Sequence, residues 1–281
     1  MKDPLTYFFK DLNFKEQSAL FKKLLYIFLI IKSAYWLFSY DLLFGPHSVI
    51  TVNESQIEPF KAAAFFLYAP ANHHLCLWAL IAVIVLSIFG LFFKKLYFIN
   101  DLVLWFLILN LHNRVYSTLS GGDYLLNQLL FFNCFISNGF DAKKTWPSQL
   151  RICLHNFGVL AVLIQVCLAY FISGITKAQD ATWLSGEAVA CTSEVDHFNL
   201  YRGIVFSRDS FLAHLLNYTV ILYQLLFPVL IWLGKLKKPL ILMGICIHLY
   251  IAFVIGLIGF GIIMIIPYVF FWPRRQRLMA D

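Results

Sequence analysis

Apolar residues gather into seven long runs: Leu24–Phe44, Leu75–Phe93, Leu96–Leu111, Tyr124–Asn138, Ile152–Ser173, Phe211–Leu233 and Leu240–Trp272. A helix of roughly 20 apolar residues crosses a bilayer, and several runs reach that length. The last run holds 33 residues. As one helix it would be about 50 Å long, more than an ordinary span needs. Gly256, Gly259 and Gly261 lie inside it and accommodate a break, so it predicts two short helices turning there. The pattern as a whole predicts an all-α, polytopic membrane bundle of about eight transmembrane helices. Ala62–Ala69 is shorter and predicts an interfacial or re-entrant segment.

Residues 1–20, "MKDPLTYFFKDLNFKEQSAL", are amphipathic and charged, with no apolar core or small-residue site of a cleavable signal peptide. They predict an interfacial helix leading into the first span. No internal repeat, low-complexity tract or second domain interrupts the pattern, so a single membrane domain is expected over 1–281.

Composition agrees with this pattern. Of the 281 residues, 60% are hydrophobic and only 13% charged, where a soluble domain carries roughly 25%. A net charge of +7 raises nucleic acid as a partner, but the basic residues form short clusters between apolar runs. A nucleic-acid surface needs a continuous basic face. The clusters behave instead as topology signals. Lys2, Lys10, Lys15, Lys22, Lys23, Lys94, Lys95, Lys143, Lys144, Arg151, Lys235, Lys237, Lys238, Arg274, Arg275 and Arg277 fall on one side, 16 of the 22 Lys and Arg. Lys61, Arg114, Lys177, Arg202 and Arg208 fall on the other, and Lys32 lies inside the first span. This asymmetry predicts both termini in the cytoplasm and an outer loop over 174–210. The six cysteines have no CxxC or metal-ligand spacing, and only Cys76 and Cys191 fall near the same face, where a disulfide is conceivable.

Four places carry candidate chemistry. Lys177 follows Ser173 by four residues at the end of a span. It reads either as a snorkelling lysine or as an amine held in a semi-apolar cavity, where burial would make it a usable base. Arg114 and Asp123 bracket a short outer loop and suggest an internal ion pair, with Asp123 alternatively an N-cap. His248 sits mid-span, as a packing histidine or a cavity-lining group. His73 and His74 are adjacent and so point to different faces of a helix, which makes a poor metal site. No P-loop, GxGxxG, GxSxG or HExxH pattern is present, so neither a nucleotide nor a metal is expected.

The stretch "YFISGITKAQDATWLSGEA" (170–188) resembles the HTTM domain, the membrane domain shared with vitamin K-dependent gamma-carboxylases. The matching positions are Gly174, Lys177, Trp183 and Gly186. "RVYSTLSGGDYLLNQLLFF" (114–132) is similar to that family's arginine-to-GGD segment, and "HLYIAFVIGLIGFGIIMIIPYVFFWP" (248–273) to its closing helices. The resemblance implies that Lys177 is a base toward a reduced quinone of the vitamin K hydroquinone or menaquinol type. It implies His248 as a second catalytic group, with Arg114, Asp123, Trp183 and Glu187 binding the cofactor. The chain departs from the carboxylases at Gly121-Gly122-Asp123, where they carry Asn-His-Ser, and in reaching Asp281 without their large lumenal domain. Standalone bacterial members, of the sporulation-delaying protein B type, share these features.

The expectation is therefore a standalone HTTM-like protein of the bacterial cytoplasmic (inner) membrane. It would act on or mature an exported peptide, using a lipid-soluble quinone at the outer face. Its expected partners are membrane lipids and that peptide or a small membrane protein. The alternative is a membrane scaffold or lipid-binding subunit that retains the fold without the reaction.

Overall fold

A computed structural model describes residues 8–9, 12–50, 67, 70–93, 97–137, 146–195 and 205–272. Among them every regular element is helical and no strand occurs. In chain order these are α1 (Lys15–Phe38), the single turn α2 (Tyr40–Leu43), α3 (His73–Phe92), α4 (Tyr97–Arg114), α5 (Gly121–Phe135) and α6 (Trp146–Gln179). The short α7 (Ala181–Ser185) and α8 (Ala188–Glu194) follow. Then come α9 (Phe211–Leu230), α10 (Lys237–Phe253), α11 (Ile258–Ile265) and α12 (Tyr268–Phe271). The expected segment Ala62–Ala69 lies, apart from Leu67, outside the described residues. So do Lys61, Lys94, Lys95, Lys143, Lys144, Arg202, Arg274, Arg275 and Arg277, which carry much of the charge asymmetry.

Three helices are long and apolar enough to cross a membrane: α3, α9 and the Ser148–Gln179 portion of α6. The other apolar runs form helices that fall short by length, by charge or, for α4 with its Asn100, Asn110, His112 and Asn113, by polarity. The helix α1 has 24 residues but carries Lys15, Glu16, Lys22, Lys23 and Lys32. The helix α5 has 15 residues and α10 has 17. Burial is distributed as lipid solvent favours. Lys22, Asp101, Arg114, His155, Asn217 and His248 are buried, while Ile31, Phe38, Trp78, Val85, Leu222 and Val229 are exposed. An apolar exterior this extensive fits hydrocarbon better than water.

Helix boundaries correct two expectations. The segment expected at the interface is already part of α1 from Lys15 onward, entered through Phe14 in a left-handed conformation. The helix α6 extends through Lys177 to Gln179, so the first six residues of the expected outer loop are helical. The predicted break in the last apolar run is present. The helix α10 ends at Phe253, Gly256 takes φ +88°, and α11 begins at Ile258. A positive φ of that size is cheap only for glycine. Past the break α11 folds back on α10, so closely that a Cβ on Gly261 would collide with the His248 carbonyl.

The chain divides into two compact units, 1–161 and 162–281, the division falling within α6. In the first, α1 packs on α3, α3 on α4, and α4 on α5. In the second, α8 packs on α9, α9 on α10, and α10 on both α11 and α12.

Candidate functional site

Residues 170, 174 and 177 are spaced i, i+4, i+7 on α6 and share one face of the helix. Gly174 lets α9 approach there, since a Cβ would lie 2.9 Å from Leu225 Cδ2. Lys177, in the last turn of α6, is half-buried. Its ammonium donates to Ser173 Oγ at 2.7 Å and lies over the Trp183 indole, 5.0 Å from the ring centroid. A cation near a helix C-terminus is favoured by the carbonyl dipoles, and an indole face attracts it further. No carboxylate pairs with Lys177 among the described residues.

The segment after α6 holds Trp183 in place. Asp180 caps α7, its Oδ1 accepting from the backbone N–H groups of Thr182 at 2.9 Å and Trp183 at 3.1 Å. Asn217 and Tyr218 on α9 donate to the carbonyls of Trp183 at 2.8 Å and Leu184 at 2.9 Å. Gly186 ends α7 at φ +89°, and a Cβ there would fall on the His214 ring. Glu187 opens α8 through its backbone and forms no ion pair with Lys177. Outside the helices long and apolar enough to cross a membrane, Arg208 holds the Glu194 carboxyl below its usual range by hydrogen bonding and charge.

His248 belongs to a different cluster. Its Nε2 lies 2.6 Å from the Tyr170 hydroxyl, which also bonds Tyr268 Oη. Tyr268 in turn meets Tyr223 Oη at 3.0 Å, and Tyr223 donates to the Leu240 carbonyl at 3.1 Å. These hydroxyls converge over Gly244, where any Cβ would strike both Tyr223 and Tyr268. His248 is 2% exposed, and its Nδ1 has no hydrogen-bond partner among the described residues. Tyr170 and Lys177 are separated by seven residues of α6, an axial rise of roughly 10 Å. No hydrogen bond joins Lys177 to His248, so the expected pairing of the two as catalytic groups is not made by direct contact.

The first unit holds the other candidates, and the expected Arg114–Asp123 pair does not form. Asp123 pairs with Lys32 of α1 at 2.5 Å. Its other carboxylate oxygen accepts from the Ser120 N–H at 2.8 Å and hydroxyl at 2.9 Å. Asp123 is the third residue of α5 and Ser120 precedes the helix, so Asp123 is not the N-cap either. His112 Nε2 is 3.6 Å from Asp123, and its Nδ1 is 2.7 Å from Asn127 Oδ1. Trp36 packs edge-on against His112 and lies under the Lys32 ammonium. Arg114 is buried, and its guanidinium donates to Ser48 Oγ at 3.3 Å, with the Cys76 thiol beside it.

A second pair was not anticipated. Lys22 of α1 binds Asp101 of α4 and donates to the Asn133 carbonyl of α5 at 2.9 Å. Tyr26, one turn further along, donates to the other Asp101 oxygen at 2.5 Å. The two lysines of α1 thus fasten it to α4 and to α5. Asp101 inside the run Leu96–Leu111 was the visible signal, because a carboxylate in an apolar helix needs a partner. Cys76 and Cys191 are both free thiols.

The chain matches no protein-family model, no characterised protein and no solved structure.

Proposed function

We propose that the chain is a polytopic protein of the bacterial cytoplasmic membrane with about eight spans, in which Lys177 acts as a base toward a lipid-borne reduced quinone at the outer face. The supporting observation is the setting of Lys177. It is an ammonium at the end of a membrane-length helix, held by a neutral hydroxyl and an indole rather than by a carboxylate. Loss of a proton leaves no carboxylate there without its counter-charge, unlike at Lys22 or Lys32.

Ser173 and Trp183 suit a hydroquinone. Ser173 orients the amine, and the indole supplies a flat apolar wall. A bound hydroquinone would supply an acidic hydroxyl, and its oxidation by dioxygen, which would take up the electrons, would drive modification of an exported peptide, as the HTTM resemblance implies. On the protein side, Lys177 Nζ takes that proton and Ser173 Oγ holds the amine in position. Trp183, fixed by Asn217 on α9, keeps water from one side. Glu187 immediately precedes α8. Arg114 and Asp123 belong to the other unit.

A second reading is a membrane scaffold or lipid-binding subunit. The closed tyrosine cluster around His248 favours it, since that histidine is spent on packing. Purification from native membranes separates the two. The quinone reading expects a quinone to co-purify and Lys177→Ala to abolish quinol oxidation. Wild-type protein with neither bound quinone nor turnover would overturn it.

A further inference from the structure

We infer that Arg114 forms a binding site for a small monovalent anion, at the Ser48 end of α4. Arg114 is 1% exposed. Its Nη2 donates to Ser48 Oγ, whose own hydrogen goes to the Ile50 carbonyl at 3.3 Å. Nε and Nη1 are buried and have no hydrogen-bond partner among the described residues. A guanidinium keeps its proton under all ordinary conditions, so this is a full positive charge out of water.

No carboxylate of the described residues meets that charge. Asp123 is engaged by Lys32, and Asp41 is exposed and forms no ion pair. The Cys76 thiol lies beside the guanidinium, but a neutral thiol is a weak acceptor. The same unit contains two other buried or nearly buried cations, Lys22 and Lys32, and each has its own aspartate. Buried charges persist when paired and hydrogen-bonded, and among the described cations Lys22, Lys32 and Arg114 of this unit only Arg114 lacks the pair. An anion from solution would supply the acceptor that the described residues do not.

The surroundings restrict what it is. One uncompensated positive charge calls for one negative charge. Enclosure of the guanidinium calls for an ion that is small and sheds its water readily, so chloride, bromide or nitrate fits and sulfate or phosphate does not. This inference does not depend on Lys177.

The full chain, purified into nanodiscs in gluconate buffer, provides the test. Chloride is titrated while thermal unfolding is followed, and 36Cl binding is counted directly. Wild-type protein should bind one chloride per chain, and its Tm should rise saturably by roughly 5 °C or more. Bromide and nitrate should compete, and sulfate should not. Arg114→Met should bind no chloride and should unfold in gluconate above the wild type, because it removes an unpaired buried charge. Ser48→Ala should keep the site and weaken it severalfold. Absence of saturable 36Cl binding to the wild type overturns the proposal. So does an equal Tm rise in Arg114→Met. If Arg114→Met does not fold, the wild-type isotherm and its change in Ser48→Ala decide.

Discussion

Lys22 and Lys177 are both lysines on apolar helices, and they are treated in opposite ways. Lys22 is fully enclosed, with a carboxylate, a backbone carbonyl and a neighbouring tyrosine all converging on one ion pair. Lys177 is half-buried and has a serine hydroxyl and an indole face. The first arrangement fixes a charge so that three helices hold together. The second leaves an amine without a carboxylate among the described residues, and the proposed role of Lys177 as a base rests on that difference.

The contrast breaks first at Asp101. Asp101→Asn should cost about 3–5 kcal/mol, because it leaves the Lys22 ammonium buried without its counter-charge. The double variant Lys22→Met/Asp101→Leu should recover most of that loss. Reversible unfolding in mixed micelles measures both. A single substitution as mild as the double one would show that the pair is not the fastening it is taken to be.

The tyrosine cluster comes next. Gly244→Ala inserts a methyl group against the Tyr223 and Tyr268 hydroxyls and should destabilise by about 1–3 kcal/mol. Tyr268→Phe should partly relieve that loss, by opening space for the methyl group. Equal stability of Gly244→Ala and wild type would mean that the hydroxyls do not converge there.

Lys177→Met should change stability by less than about 1 kcal/mol, because no carboxylate is stranded when the amine is removed. A large loss of stability would place Lys177 with Lys22, as a fastening.

The smallest effect belongs to the exposed Arg208–Glu194 pair, at 2.8 Å. Arg208 lowers the folded-state pKa of Glu194 from its ordinary 4.5. A depressed carboxylate pKa contributes stability above the unfolded value, and that contribution is lost as pH falls through the folded value. Glu194→Gln should therefore match the wild type in the acid range below the folded pKa and fall slightly behind it at neutral pH. High salt should erase the gap, as expected of a surface pair. Unfolding midpoints across pH and salt would show this.

The helices were largely legible in the sequence. Apolar runs placed α3, α4, α5, α9 and α10 to within a few residues, and three glycines announced the turn at Gly256. Side-chain partners were much less legible. Lys22 was read as one of a cluster of charges flanking the membrane, because Lys15 and Lys23 are its neighbours in sequence, yet it faces Asp101 from 79 residues away. Asp123 was matched to Arg114 by proximity along the chain. Its real partner, Lys32, lies 91 residues back and is brought close by the packing of the first unit. The tyrosine cluster was hidden for another reason. Tyr170, Tyr223 and Tyr268 counted as apolar members of their runs, and only the fold turns their hydroxyls toward one another. Lys177 was legible as a position, but not its partners, because the capped turn at Asp180 decides where Trp183 stands.

On the proposed function, Lys177 and not the paired lysines carries the chemistry. The direct test is the initial rate of menaquinol oxidation by nanodisc-embedded protein, normalised to the folded fraction. Wild type, Lys177→Met and the double variant Lys22→Met/Asp101→Leu are compared. The account predicts turnover in the wild type, its retention in the double variant and at least a hundredfold loss in Lys177→Met. Equal rates in Lys177→Met and wild type would contradict it.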